Sequence, residues 1–361
     1  MKKLIALLLA LVMCFALCAC GESAPAEQAA PAEEAAPAEE AAPAEEAAPA
    51  EEAVEYTDIT LQLAHYNAVD QPIHIAVTKW AEMLLEQSNG AVKLDIYPAG
   101  SLYNSGDGQD AIIMGTLDMY MGDTSLLSTD EPEYALFSLP FLIEDYDAAG
   151  KLVYGDIGKE IDQRMQDNLG VVALGWTWNG FRNMCTVDPI SSVADCKNYK
   201  LRSPGADVYL NTFKTLGMSP EVITWSECYT AMESGVVDGV ESGLEAFYTQ
   251  GFYNLGNNIC LSRHMVSIIG PTINIDKWNS LNEATQQLML DTWAVCQEEL
   301  NATVIGNEDG YLQQLKDAGC NITEFENRQE IIDLFTPYWS ETAEAGGYAD
   351  VFEQAMAVIA G

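Results

Sequence analysis

The spacing of apolar positions changes period several times along this chain. Ile59 to Leu63 alternates apolar and polar, as a half-buried strand does. From Pro72 to Asn89 the apolar residues Ile73, Ala76, Val77, Trp80, Met83 and Leu84 fall at helical spacing, with Pro72 suited to a first turn and Gly90 to a stop. Val92 to Ile96 alternates again, and a strand, a helix and a strand in this order make a right-handed parallel crossover. The pattern then predicts a helix over Asp107 to Met114 and strands over Leu117 to Met121, Val171 to Trp176 and Val236 to Glu241. Thr224 with Glu227 fits a capping box that opens a helix ending at Gly235. Val266 to Ile275 reads as a long apolar strand broken at Gly270-Pro271. From Asn282 to about Ala318 a helical pattern runs with only Gly306 and Gly310 interrupting it. Unbroken, that helix is about 54 Å long, enough to brace two lobes; two helices broken at Gly306 are the alternative. Strands alternating with helices imply an α/β architecture, in which ligands sit at the carboxyl ends of strands.

Two N-terminal segments depart from these periods. In residues 1–20, Lys2 and Lys3 precede an apolar run from Leu4 to Leu17, and Leu17-Cys18-Ala19-Cys20 follows. The run is short for a bilayer span and fits a signal peptide. The ending resembles a bacterial lipobox, which makes Cys20 the expected site of lipidation and places the mature protein at the outer face of a membrane; ordinary cleavage near Ala19 without a lipid and a lone transmembrane anchor are the alternatives. Residues 21–55 are dominated by the repeat APAEEA, whose prolines break helix and whose glutamates repel. Such a segment has nothing to bury and reads as an extended tether.

Charge narrows the classes. The formal net charge is -39 over 361 residues, which argues against nucleic acid and against adsorption to anionic lipid. The repeats do not account for it: without Lys2, Lys3, Glu22 and the nine repeat glutamates, 45 acidic and 14 basic residues remain. Six cysteines follow the leader, at 185, 196, 228, 260, 296 and 320. None forms a CxxC and no spacing matches a zinc site, so neither a metal nor another cofactor is expected. There is no GxGxxG opening a helix, no Walker A loop, no GxSxG and no HExxH, and the three histidines, at 65, 74 and 264, have no local nucleophile motif beside them. An enzyme reading has little behind it.

The expected strand ends carry more chemistry. His65-Tyr66-Asn67, Gly122-Asp123-Thr124-Ser125, Trp176-Thr177-Trp178-Asn179, Arg202-Ser203-Pro204 and Glu241-Ser242 bring polar and aromatic groups to five of them, enough to line one cleft. Arg202 and Arg182 stand out in so acidic a chain. A guanidinium at a strand end holds either a carboxylate ligand through two parallel hydrogen bonds or one of the protein's own Asp and Glu side chains.

These residues resemble the DctP-type substrate-binding proteins of tripartite ATP-independent periplasmic (TRAP) transporters. The strongest piece is LRSPGADVYLNTFKTLGMSPEVITWSECYTAMESGVVDGVES, from Leu201 to Ser242. It is similar to the family's run of an Arg-x-Pro turn, a helix, a Gly-x-x-Pro turn and Tyr-x-Ala-x-x-x-Gly-x-Val-Asp-Gly. Pro98 to Leu102 (PAGSL), Met114 to Met119 (MGTLDM) and Leu139 to Leu142 (LPFL) add to it. The resemblance implies a two-lobed fold of the periplasmic-binding-protein kind with a long helix spanning both lobes, split as 56–179 with 268–307 and 180–267 with 308–361. It implies a receptor that closes on a small organic acid and delivers it to the small and large membrane subunits of an ion-driven permease. By resemblance Arg202 pairs with the ligand carboxylate, Arg182 is a second arginine found in many members, and Trp225 covers the ligand. Asp123 and His264 fall near pocket-edge positions, and His65, at the first strand end, joins the expected ligand contacts. Ser242 departs from the pattern: many members carry asparagine after Val-Asp-Gly-x-Glu, and serine offers one short hydroxyl donor in its place. An anchored sensor reporting to a signalling partner and an α/β hydrolase are the other readings.

Overall fold

The computed structural model describes residues 54–360. Its strands are β1 (Ile59–Ala64), β2 (Val92–Tyr97), β3 (Met119–Asp123), β4 (Val171–Ala173), β5 (Thr177–Thr186), β6 (Lys200–Ser203), β7 (Ser219–Val222), β8 (Gly239–Ser242), β9 (Asn258–Asn274) and β10 (Asn321–Thr323). Its helices are α1 (Pro72–Gln87), α2 (Ser105–Ile113), α3 (Thr124–Leu127), α4 (Tyr146–Val153), α5 (Asp156–Leu169), α6 (Asp207–Thr215), α7 (Cys228–Glu233), α8 (Leu244–Thr249), α9 (Ile275–Asn279), α10 (Glu283–Asp317), α11 (Arg328–Gly346) and α12 (Ala349–Ala360). Among the described residues no helix is long and apolar enough to cross a membrane.

The fold is two-lobed α/β. The strands run in the order β2-β1-β3-β9-β5-β8-β6-β7. β1 pairs in parallel with β2 and β3, and β6 pairs in parallel with β7 and β8. Two long antiparallel strands, β5 and β9, join these halves. Their register shifts between Trp178 and Gly180 and again between Arg182 and Met184. Gly180 takes a φ of +94°, open to glycine at little cost, and so allows the first irregularity.

The crossover at β1, α1 and β2 forms as the periodicity predicts. Ile73, Ala76, Val77, Trp80 and Leu84 bury one face of α1. That face packs with Leu61 and Leu63 of β1 and with Leu288, Met289, Trp293 and Leu300 of α10 in one core cluster. Trp80 and Trp293 meet with ring centroids 5.1 Å apart. α10 is continuous over 35 residues, about 52 Å. Asn282 caps it, its side chain accepting from the Thr285 N–H at 2.9 Å. The break considered at Gly306 does not occur. Gly306 and Gly310 have open space around them, so each costs the helix no more than glycine's weak propensity, about 1 kcal/mol. Near its other end α10 places Leu315 in a separate cluster with Val240 of β8 and Phe247 of α8, so one helix serves both halves.

Two local expectations are corrected. β9 is not broken at Gly270-Pro271: it runs unbroken to Asn274, with Pro271 opposite Met121 of β3. The Pro271 carbonyl still accepts from the Leu174 N–H at 2.9 Å, so proline removes one donor without ending the pairing. Gly270 has to be small, since a Cβ there would lie 2.4 Å from the Gly175 carbonyl oxygen. The capping box at Thr224 is absent too. Trp225–Glu227 forms a 3-10 turn without a side-chain cap, and the Glu227 N–H instead donates to the Thr224 carbonyl at 2.9 Å.

One feature cuts across the expected lobe boundaries. α11 and α12, in the stretch assigned to the second lobe, pack against α4, α5 and the 3-10 segment Pro132–Ser138 of the first. The cysteines at 185, 196, 228, 260, 296 and 320 are free thiols, and all but Cys320 are buried. Cys20 and the APAEEA repeats lie outside the described residues.

Candidate functional site

The five strand ends singled out from sequence line one cleft. It has an empty volume of about 560 Å³, part of it open to solvent. Tyr66 and Asn67 follow β1; Asp123 ends β3 and Ser125 follows it; Asn179 and Arg182 come from β5; Arg202 and Pro204 from β6 and the turn after it; Ser242 ends β8. Gln71, Ser105, Tyr209, Trp225 and Glu245 complete much of the rest. Strand ends converge because parallel strands on each side of β9 and β5 deliver their carboxyl ends to the same edge.

Glu241 organises the charge. It is fully buried in β8, with Arg182 6% and Arg202 3% exposed. Arg182 donates from Nε to Glu241 Oε2 at 2.5 Å, and from Nη2 to Oε1 at 2.7 Å and to the main-chain oxygen at 3.1 Å. Arg202 donates from Nη1 to Oε1 at 3.2 Å and from Nε to the Ile223 carbonyl at 2.9 Å. Burial pushes the Glu241 carboxyl up, but the charge of Arg182, the neighbouring His264, the Arg182 hydrogen bonds and the charge of Arg202 outweigh it and hold the pKa at about 2. Two cations therefore share one anion, and the cluster keeps one net positive charge. Among the described residues Arg182 Nη1 and Arg202 Nη2 take part in no hydrogen bond. Each guanidinium also lies over an aromatic face, Arg182 over Tyr209 at 5.1 Å and Arg202 over Trp225 at 5.2 Å.

The sequence left open whether these arginines face a ligand or the protein's own acids. The geometry combines both: Glu241 takes up one positive charge, and each arginine lines the cleft with one terminal nitrogen that takes part in no hydrogen bond to the described residues. The acid that does this sits beside Ser242 in a run already marked as a strand end. Nothing in the local sequence distinguishes it from the other carboxylates, because its role depends on β5, β6 and β8 lying side by side.

Asp123 also lines the cleft, at the end of β3. Its Oδ1 accepts from the Ser125 N–H at 2.9 Å and from Ser125 Oγ at 2.5 Å, and Oδ2 accepts from Tyr66 Oη at 3.4 Å. Burial raises its pKa, opposed by Ser125, the charge of Arg182 and Tyr66. Glu245 is half-buried and also raised by burial, with Gln71 and Thr249 hydrogen bonds opposing. Gln71 Nε2 donates to Glu245 Oε2 at 3.0 Å, joining the start of α1 to α8. Ser226 Oγ donates to Asn104 Oδ1 at 3.4 Å, again between the expected lobes.

Two expected contacts lie elsewhere. His65 does not line the cleft. It shares a strand face with Leu61 and Leu63, which point into the α1 core, and its Nε2 meets His74 Nδ1 at 3.1 Å. His264 is fully buried behind Glu241, with Nε2 3.5 Å from Glu241 Oε2 and Nδ1 2.8 Å from Ser262 Oγ. Trp176 and Trp178 are also core residues: Trp176 Nε1 donates to Asp162 Oδ1 at 2.8 Å, and Trp178 packs against Tyr146 and Tyr154. Tyr209 was not anticipated, because its place under Arg182 follows from how α6 packs rather than from spacing.

The family described as bacterial extracellular solute-binding protein, family 7 (DctP), matches residues 63–345. The chain belongs to this family. Among characterised relatives, the C4-dicarboxylate-binding periplasmic protein DctP of Rhodobacter capsulatus is 27% identical over 295 residues, 80% of this chain and 88% of that one. The sialic acid-binding periplasmic protein SiaP of Vibrio cholerae is 26% identical over 264 residues, 73% of this chain and 82% of that one. A TRAP periplasmic solute-binding protein of Desulfovibrio salexigens, solved with bound orotic acid, superposes with a TM-score of 0.78 at 25% identity, covering 83% of this chain and 99% of that one. The sugar acid binding protein DctPAm of Advenella mimigardefordensis, solved with galactonate, shares the fold with a TM-score of 0.80 at 24% identity, covering 85% and 99%.

Proposed function

We propose that this family 7 protein is the extracytoplasmic receptor of a TRAP transporter, closing on a small organic acid and passing it to the small and large subunits of an ion-driven permease. One observation carries the reading: two guanidiniums share a single buried carboxylate, so the cluster keeps one positive charge and two terminal nitrogens without protein partners beside the cleft. A carboxylate entering there exchanges hydration for charge-assisted hydrogen bonds, which strengthen as the lobes exclude water. The relatives' names and bound molecules, a C4-dicarboxylate, sialic acid and orotic acid, are all acids and agree with it.

In this reading Arg202, Arg182, Trp225, Ser242 and Asp123 contact the ligand, and His264 lies behind Glu241 while His65 stands off the cleft. The lobes divide inside β5, β9 and α10, as 56–179 with 268–307 against 180–267 with 308–361, with α11 and α12 bracing the two. Cys20 carries the lipid, and the repeats let the receptor reach its permease while holding it near. Intact mass of the protein from membranes tests the anchor: a diacylglyceryl-modified Cys20 supports it, and an unmodified new N-terminus removes it.

The central reading is tested by a thermal-shift screen of carboxylic acids followed by calorimetry. An acid that raises the melting temperature of the native chain and loses at least about 100-fold in affinity in a folded Arg202→Ala variant is the expected result. Undiminished affinity in that variant rejects it.

A further inference from the structure

The cleft holds a second set of polar groups of the opposite kind. Among its described lining residues the only cations are Arg182 and Arg202. Glu241 consumes one of their two charges, which leaves a single positive charge, enough for one carboxylate. The remaining charged lining groups are Asp123 and Glu245, both acids. Their internal donors, Ser125 and Tyr66 for one and Gln71 and Thr249 for the other, use only part of the acceptor capacity of each carboxylate. Asn67 also lines the cleft and brings no charge to it.

From this we infer that the ligand carries one carboxylate only, and that its other end donates hydrogen bonds through hydroxyl or ammonium groups to Asp123 and Glu245. The inference rests on the carboxylate-receptor reading and deepens it. A second ligand carboxylate meets no free cation. It meets two acids instead, and like charges brought together in a closed site are strongly unfavourable. A hydroxyl donates to either acid, and an ammonium donates up to three bonds and also compensates one acidic charge.

Matched pairs of acids decide the matter by calorimetry on the full-length chain. Gluconate and glucarate differ only in whether the far end is a hydroxymethyl or a carboxylate. 4-Hydroxybutanoate, 4-aminobutanoate and succinate make the same comparison on a shorter chain, and the first two separate hydroxyl from ammonium. The expected result is that the monocarboxylate of each pair that binds does so at least about 100-fold tighter than its dicarboxylate. Asp123→Asn and Glu245→Gln keep hydrogen-bonding side chains while removing one charge each, and each narrows that ratio by about 10-fold. A dicarboxylate bound as tightly as its partner, through Arg202, overturns the inference and leaves the receptor reading standing. Binding of either class that ignores Arg202→Ala, or binding of no acid in the panel, overturns both.

Discussion

Arg182, Arg202 and Glu241 on β5, β6 and β8 differ from Tyr66, Asn67 and Asp123 at the ends of β1 and β3 in how fully the protein satisfies them. On the first side every carboxylate oxygen of Glu241 is taken, and each guanidinium is oriented by bonds at two nitrogens or more and by an aromatic face. That side is preorganised, and its charge is set by the protein before any ligand arrives. On the second side Asn67 Oδ1 has no partner, and the bond from Tyr66 to Asp123 is long at 3.4 Å. In the proposed reading, a site divided in this way holds the ligand carboxylate rigidly and leaves the rest of the ligand to groups whose hydrogen bonds are still open.

The largest effect is expected where the first side is broken. Glu241→Ala leaves two nearly buried guanidiniums without their anion and is expected to cost about 3–5 kcal/mol of stability, read by urea unfolding. A loss under 1 kcal/mol means that water or other groups satisfy the arginines and that Glu241 does not set the charge of the cleft.

Next in size is an effect behind the second side. Burial, then the charge of His74, lowers the His65 pKa to about 4, against 6.5 in an unfolded chain. Between these values the unfolded chain binds more protons than the folded one. Stability from this group is therefore complete above about pH 6.5 and is lost as the pH falls toward 4, by about 3 kcal/mol. Unfolding His65→Gln and the native chain in urea at pH 7 and pH 4.5 checks it. The variant is expected to lose less stability across the interval, and equal losses contradict a buried neutral His65.

How much of this was legible in the sequence follows from the distance over which each feature is decided. The β1–α1–β2 crossover and the span of α10 depend on period and on caps such as Asn282, all within a few residues, so the pattern finds them. Gly270-Pro271 misleads because local propensity predicts a break where tertiary pairing on both edges carries β9 through. His65 misleads for another reason: the period-2 rule that turns it to the face of Leu61 and Leu63 was available, yet a histidine at a strand end invites a functional reading. The partnership of Arg182, Arg202 and Glu241 joins positions 20 to 59 residues apart, and the sequence shows the three residues without showing that they meet.

The smallest effect concerns Trp225, which lines the cleft on the preorganised side. Its ring lies 5.2 Å from the Arg202 guanidinium carbon and 5.5 Å from the Phe252 ring, so it both shields the arginine and is itself braced. An arginine over tryptophan contributes about 0.5–2 kcal/mol, less than a charge-assisted pair with a ligand carboxylate adds on closure. Trp225→Ala is therefore expected to weaken acid binding about 10-fold, against 100-fold or more for Arg202→Ala, with both variants measured by calorimetry on the same acid. Trp225→Phe keeps a ring face over the guanidinium and should recover part of the loss. If Trp225→Ala costs more affinity than Arg202→Ala, stacking rather than charge holds the ligand. The comparison between a charged, fixed side and an open, acceptor side then gives way to one between an aromatic wall and everything else.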